Sequence, residues 1–309
     1  MNNKTERDGF YIVVNIETGP DIATAKIADL ADPKKAKFVP ELKSFESFMN
    51  EKIAIGTENI NKRGYKKQET IDKNMKEVLN RDYKADYQIM LADYNKKLQM
   101  LAVVPPFAYV KIATMIINAG DKREINIWEN ENNDPVIEAA IIKEVVDILY
   151  SKNHGNDGYN SHAIVTFNGK RFDIPLLLER GQVRGVRNIA YTFLERLMNR
   201  GDREAHYDMI ENRPYQNTPV NKLSLTRNLA IRFGIDCAKV QIDYSKCTID
   251  ELKYYSLDQV LKLEYWHRFH HGLSIPTIEE FLKSLPKPKV KEVDVPIPNA
   301  SNDLELPKV

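Results

Sequence analysis

The chain has 309 residues, 42% hydrophobic and 29% charged, with a formal net charge of +1. That is the balance of an ordinary soluble globular protein with a sizeable core, in one large or two small domains. Bulk charge announces no nucleic-acid partner. No apolar run approaches the roughly 20 residues of a membrane span, and the opening "MNNKTERDGF" lacks the apolar stretch of a secretory signal. Cys237 and Cys247 are not spaced as a metal or redox pair, which predicts a reducing, cytoplasmic setting.

In chain order, "FYIVVNI" (10–16) is a β-branched and aromatic run that suits a central strand buried on both faces, stopped by Gly19-Pro20. Residues 21–104 do not read as sheet. Apolar residues recur at steps of three and four from Ile71 to Leu101, which predicts one amphipathic helix about 45 Å long. Its tyrosines, Tyr83, Tyr87 and Tyr94, read as packing residues, with stacking on bases as the alternative. After Pro105-Pro106, strands are expected over 109–119 and 123–129 and a helix over 134–151, with Asp134 as its N-cap and Pro135 at its first position.

A buried strand over 162–167 follows, then a short helix over 173–181 closed by Gly181, a strand over 205–209 and a helix over 224–234. Thr248 with Glu251, and Thr277 with Glu280, form capping-box patterns for helices over 248–272 and after 277. The resulting fold class is α/β, a mixed sheet flanked by helices. The expected organisation is a domain over 1–285, with a helical insertion over 21–104, and a proline-rich flexible tail over 286–309. Basic clusters at 61–68 and 286–291 read as solvated faces, though such clusters can also supply phosphate contacts.

Three separated segments carry acidic or amide side chains able to meet. Asn15 and Glu17 are two apart in a strand and so share a face. Asn168 ends a strand, and Asp173 opens the next helix, where a capping role would also explain it. Tyr254 and Asp258 are four apart on one helix face. Each alone is weak. Together they suit magnesium or manganese, which prefer oxygen ligands, and two-metal phosphodiester chemistry needs several such groups converging from different elements.

"NIET", "NGKRFD" and "YYSLD", in this order, resemble the predicted 3′–5′ exonucleases related to the proofreading domain of family B DNA polymerases. These form a DEDDy-type branch of the DnaQ-like, ribonuclease H-like superfamily. The resemblance covers the first strand, 101–113 and most of 159–270, and is most specific over 164–177. It implies a ribonuclease H-like sheet with a long helical insertion after the first strand. It also implies two Mg2+ or Mn2+ ions and stepwise release of nucleoside monophosphates from single-stranded DNA 3′ ends. Glu17, Asp173 and Asp258 would be metal-binding carboxylates, and Tyr254 would orient the attacking water. Thr18 would meet the terminal nucleotide, and Asn168 and Phe172 would shape its pocket. Lys253 stands where the histidine-type branch would have its histidine. "AHYDM" is similar to an H-x-D-L strand, on His206 and Asp208; Asp208 is expected to cap or orient a neighbour.

Asn15 departs from the pattern, because the family has an aspartate there that touches both metals. A neutral amide cannot bridge two cations, so binding of 3′ ends with very slow or no cleavage is expected. Either the asparagine is a near-isosteric replacement made to trap substrate, which the presence of every other site residue favours, or the chain is a natural pseudonuclease. A non-catalytic single-stranded nucleic-acid binding module and a 3′–5′ exoribonuclease are the rival functions. His267 and His271 are four apart on a helix but lack a third zinc ligand, so "HRFHH" is expected to be a basic helix end that favours the dipole. Protein partners are not readable.

Overall fold

The computed structural model describes residues 9–31, 37–65, 67–154, 162–199, 206–210, 225–235 and 247–285. The tail after 285, Cys237 and the cluster at 286–291 lie outside the described residues. Among the described residues, no helix is long and apolar enough to cross a membrane.

Among the described residues, five strands form one mixed sheet: β1 (Phe10–Pro20), β2 (Ala108–Ala119), β3 (Lys122–Glu129), β4 (Ala163–Thr166) and β5 (His206–Asp208), in the order β3-β2-β1-β4-β5. β1 pairs antiparallel with β2 and parallel with β4, and β4 pairs parallel with β5. β1 is therefore central, and its alternation divides the core. Ile12, Val14 and Ile16 face one cluster, and Tyr11 and Val13 face the other.

The first cluster is closed by α5 (Pro135–His154), α6 (Asp173–Val183) and α7 (Tyr191–Met198). The second is closed by α8 (Leu225–Phe233), α9 (Ile249–His270) and α10 (Ile278–Ser284). The expected caps are in place. Asp134 Oδ1 accepts the N–H groups of Val136 and Ile137 at 2.7 and 3.2 Å, and both threonine–glutamate capping boxes form.

Three local expectations are corrected. β1 does not end with the apolar run at Ile16 but runs on to Gly19-Pro20, where it stops. The register shifts between Glu17 and Thr18, and pairing with β2 then resumes as far as Pro20 opposite Ala108. Gly19 is needed there for close approach, since a Cβ would sit 2.4 Å from the Tyr109 ring. Gly181 does not close α6, which runs on to Val183. It sits within the helix, where an added Cβ would come within 3.0 Å of Ile189, and Gly185 (φ 63°) supplies the left-handed residue. His267 is not a basic helix end, because it is 2% exposed. Burial, reinforced by His271, His270 and Arg268, holds its pKa down at about 3.

The insertion is helical: α1 (Ile22–Ala31), α2 (Phe45–Lys62), α3 (Gln68–Asn80) and α4 (Lys84–Leu101). The single long helix expected over 71–101 is two helices, broken at Arg81–Tyr83. Asp82 Oδ1 accepts Lys84 N–H at 2.9 Å, a side-chain bond that competes with the helical ladder. Tyr83 turns inward and donates its hydroxyl to Val78 O at 2.9 Å. The broken pair folds against α2 instead of forming a rod, around a cleft of about 980 Å³ lined in part by Phe48, Ile55, Val78 and Met90. Tyr87 packs on Phe45 and Phe48, with ring centroids 5.2 and 5.6 Å away, and donates to Lys43 O. Tyr83 and Tyr87 are thus packing residues.

The insertion is fastened at its base. Arg180 on α6 donates to both carboxylate oxygens of Glu138 on α5, to Asp21 Oδ2 at 2.7 Å and to Pro106 O at 2.9 Å. Arg184, one turn on, pairs with the same two acids. Asp21 begins the insertion and Pro106 lies just past its end, so one guanidinium grips both sides.

Candidate functional site

The parting of two strands opens the site. β4 follows β1 only from Tyr11 to Val13. Beyond that point Ile16 N–H donates to Asp173 Oδ1 at 3.2 Å. The first acid of α6 is thereby drawn into the gap at the carboxyl ends of the parallel strands, the region where open α/β sheets bind ligands.

Asn15 and Glu17 continue the β1 face that carries Tyr11 and Val13. Asn15 Nδ2 donates to Glu17 Oε1 at 2.8 Å and to Ser256 Oγ of α9 at 3.0 Å. A carboxylate has no hydrogen to give, so the nitrogen end of the amide must face Glu17. Glu17 is 8% exposed and Asp173 4%. Burial, then the charges of Glu17 and Asp208, push the Asp173 pKa well up, and the Ile16 N–H works the other way. Thr18, just past the register shift, donates its hydroxyl to Ala102 O at 2.5 Å, which brings the end of the insertion to the edge of the site.

The turn before α6 is held from below. Asn168 has φ 68°, and a Cβ on Gly169 would lie 2.3 Å from Thr166 Oγ1. Asp208 accepts the N–H groups of Asn168, Lys170 and Ile210 at 2.8, 3.0 and 3.1 Å. His206 Nδ1–H donates to Leu197 O at 2.8 Å, so its Nε2 accepts the Thr166 hydroxyl at 2.7 Å. His206 and Asp208 brace the turn from beneath. Phe172 occupies the N-cap position of α6, partly buried against the first core cluster.

α9 brings Ser256, not Asp258, against Asn15. Residues two apart on a helix lie about 200° around its axis, so Asp258 turns toward α8. There its Oδ2 accepts from Lys262 Nζ at 2.6 Å and Gln259 Nε2 at 3.1 Å, and Lys262 also donates to Thr226 Oγ1 at 3.2 Å. Burial raises the Asp258 pKa, and the Lys262 ammonium offsets part of that rise. Tyr254, one turn before Asp258, is exposed. Asn15, Glu17 and Asp173 are thus brought together, with Asp208 near enough to act on Asp173 through its charge. Among the described residues, no three His, Cys, Asp or Glu side chains are placed to hold one metal ion. Ser256 and Lys262 have no signal of their own in the sequence, apart from the four-residue spacing of Lys262 from Asp258.

A family model described as a predicted 3′–5′ exonuclease related to the exonuclease domain of PolB matches residues 105–272, more than half of the chain. The chain belongs to this family. Its mixed five-stranded sheet with helices on both faces is the α/β architecture of a ribonuclease H-like exonuclease. No curated protein and no solved structure matches the chain. The part matched to this exonuclease family holds Asn168, Phe172, Asp173, Asp208, Tyr254 and Asp258. It begins after β1, so Asn15, Glu17 and Thr18 lie outside it.

Proposed function

We propose that this exonuclease-family chain engages the 3′ ends of single-stranded DNA, and that with Asn15 in place it cleaves them very slowly or not at all. The observation that carries the reading is the hydrogen bond from Asn15 Nδ2 to Glu17 Oε1. Glu17 and Asp173 suit a divalent cation, Mg2+ or Mn2+, because they are two buried carboxylates near enough for one charge to act on the other. The remaining groups do not suit a second ion as they stand. Asn15 offers Glu17 an N–H where coordination needs an oxygen lone pair, and Asp258 already holds an ammonium.

Such ions, when bound, supply an activated water and stabilise the departing 3′ oxygen. The chain's own residues would receive the nucleotide. Thr18 lies at the edge where the insertion meets β1, and Asn168 and Phe172 line the turn leading to Asp173. Tyr254 is open to solvent on α9, available to orient a water. A frayed or unpaired end suits the site best, since the last base must leave its stack. Each 1.4 kcal/mol of lost transition-state stabilisation is about tenfold in rate.

Asn15→Asp, incubated with 3′-tailed single-stranded DNA and manganese, should shorten the strand stepwise from its 3′ end. Folded N15D protein that leaves the DNA intact removes Asn15 as the residue that holds back cleavage. The Asp258–Lys262 pair favours a second reading, a non-catalytic binder of single strands, which predicts continued inactivity with retained affinity. An RNA strand run in competition distinguishes an exoribonuclease, because the 2′-hydroxyl is the group that tells the two substrates apart.

A further inference from the structure

We propose that Lys262 is an internal competitor for divalent metal, with its ammonium standing in for a cation at Asp258. The inference rests on the reading of Asp258 as a metal-site carboxylate, and adds a second internal group that limits ion binding besides Asn15. Lys262 is fully buried on α9, and burying a lysine is costly unless its charge is met. Here it is met by Asp258 Oδ2 at 2.6 Å and Thr226 Oγ1 at 3.2 Å. Gln259 donates to the same carboxylate oxygen from a second direction, at 3.1 Å. That oxygen thus has two donors of the chain upon it. A divalent ion there must displace a buried ammonium or sit beside one, and both are unfavourable.

The same logic holds at Glu17, where the Asn15 amide fills the donor role with no charge at all. Two carboxylates of the predicted set are therefore satisfied by the protein itself. Lys262→Gln keeps a hydrogen-bond donor and removes the charge. It should tighten Mn2+ binding, followed by the free-ion signal in electron paramagnetic resonance, by about tenfold or more, since a nearby positive charge is gone. Lys262→Arg should leave Mn2+ affinity unaltered, and Asp258→Asn added to Lys262→Gln should cancel the gain.

No gain in folded K262Q, including no measurable binding in either protein, overturns the proposal. If K262Q does not fold, Asp258→Asn in the otherwise unaltered chain decides. Mn2+ affinity that does not change supports a carboxylate already committed to Lys262. A loss of about tenfold or more marks Asp258 as a free ligand and overturns it. These titrations need no cleavage, and Lys262 alone could keep N15D inactive, so it is an inactive, folded N15D/K262Q double variant that counts against the exonuclease reading, while the Mn2+ result stands or falls separately.

Discussion

Arg180 and Glu138 meet through two parallel hydrogen bonds, Nε to Oε1 at 2.9 Å and Nη2 to Oε2 at 2.7 Å, with both side chains fully buried. The paired geometry is one that arginine makes and lysine does not. Removing one partner of a buried ion pair strands the others, and here Glu138 and Asp21 would keep only the half-buried Arg184 as a cationic partner. Arg180→Met should destabilise the protein by about 3–5 kcal/mol in urea titration. Arg180→Lys should recover only a minor part, and limited proteolysis should show cleavage within 21–107 before the rest of the chain.

Asn15→Asp should change what metal does to stability. A second carboxylate in hydrogen-bonding distance of Glu17 adds like-charge repulsion to a site where Asp173 is already pushed toward its protonated form. In chelator the variant should melt below the parent. With manganese at about 100 times its Kd it should gain about 2.7 kcal/mol, since a ligand that binds only the native state stabilises by mass action. The parent should gain much less. Equal manganese shifts in the two proteins would rule out Asn15 as a determinant of binding.

His267 makes the fold sensitive to mild acid. Neither ring nitrogen has a hydrogen-bond partner among the described residues, and the ring packs edge-on against Tyr11 at 4.9 Å. Its pKa is about 3 in the fold against 6.5 unperturbed, so below pH 6.5 the unfolded chain takes up a proton that the native chain refuses. Its contribution is fully present above pH 6.5 and falls away between about 6.5 and 3, by about 1.4 kcal/mol per pH unit. His267→Phe should flatten that slope in urea titrations between pH 7.5 and 4.5. Asp21, lowered to about 2 by Thr24 and Arg180 against the opposing effect of burial, acts in a separate window. Its contribution is lost only as pH falls below about 3.8.

Asp208 should matter to substrate binding without touching substrate. It satisfies two backbone N–H groups of the 168–170 turn, those of Asn168 and Lys170, and that of Ile210. Asp208→Ala leaves them buried or half-buried without that acceptor, at a cost of about 1–3 kcal/mol for each one not reached by water. Loss of affinity for a fluorescent 3′-tailed oligonucleotide should exceed the loss of helix signal in circular dichroism. A variant that binds as well as the parent would separate the turn from the site.

Much of this architecture is legible because local chemistry and tertiary role agree. The apolar run of β1, the N-cap at Asp134 and the two capping boxes each name their own structure. The 71–101 stretch is not legible in the same way. Its three–four period reports which face is apolar, and that face continues across a bend when both halves pack on α2. The bend itself is made by Asp82 and Tyr83, whose partners the period does not encode.

At the site, spacing places Asn15 beside Glu17 because strand alternation is rigid. It does not set the rotation of α9, which decides whether Ser256 or Asp258 meets β1. A four-residue interval describes Asp258–Lys262 as well as Tyr254–Asp258, and packing against α8 selects the former. The Arg180 clamp joins residues far apart along the chain, and no local pattern announces it.

Pro20 and Ala108 stand opposite one another in the β1–β2 register. To the sheet, everything between them counts as the loop of a hairpin, and loop length adds little to closure once the strands are paired. The intervening helices are thus an accessory that a short turn could replace with strand alignment preserved, and Arg180 grips the splice on both sides through Asp21 and Pro106. A trimmed chain of that kind would show whether the proposed capture of a nucleotide needs the sheet alone or the helices as well.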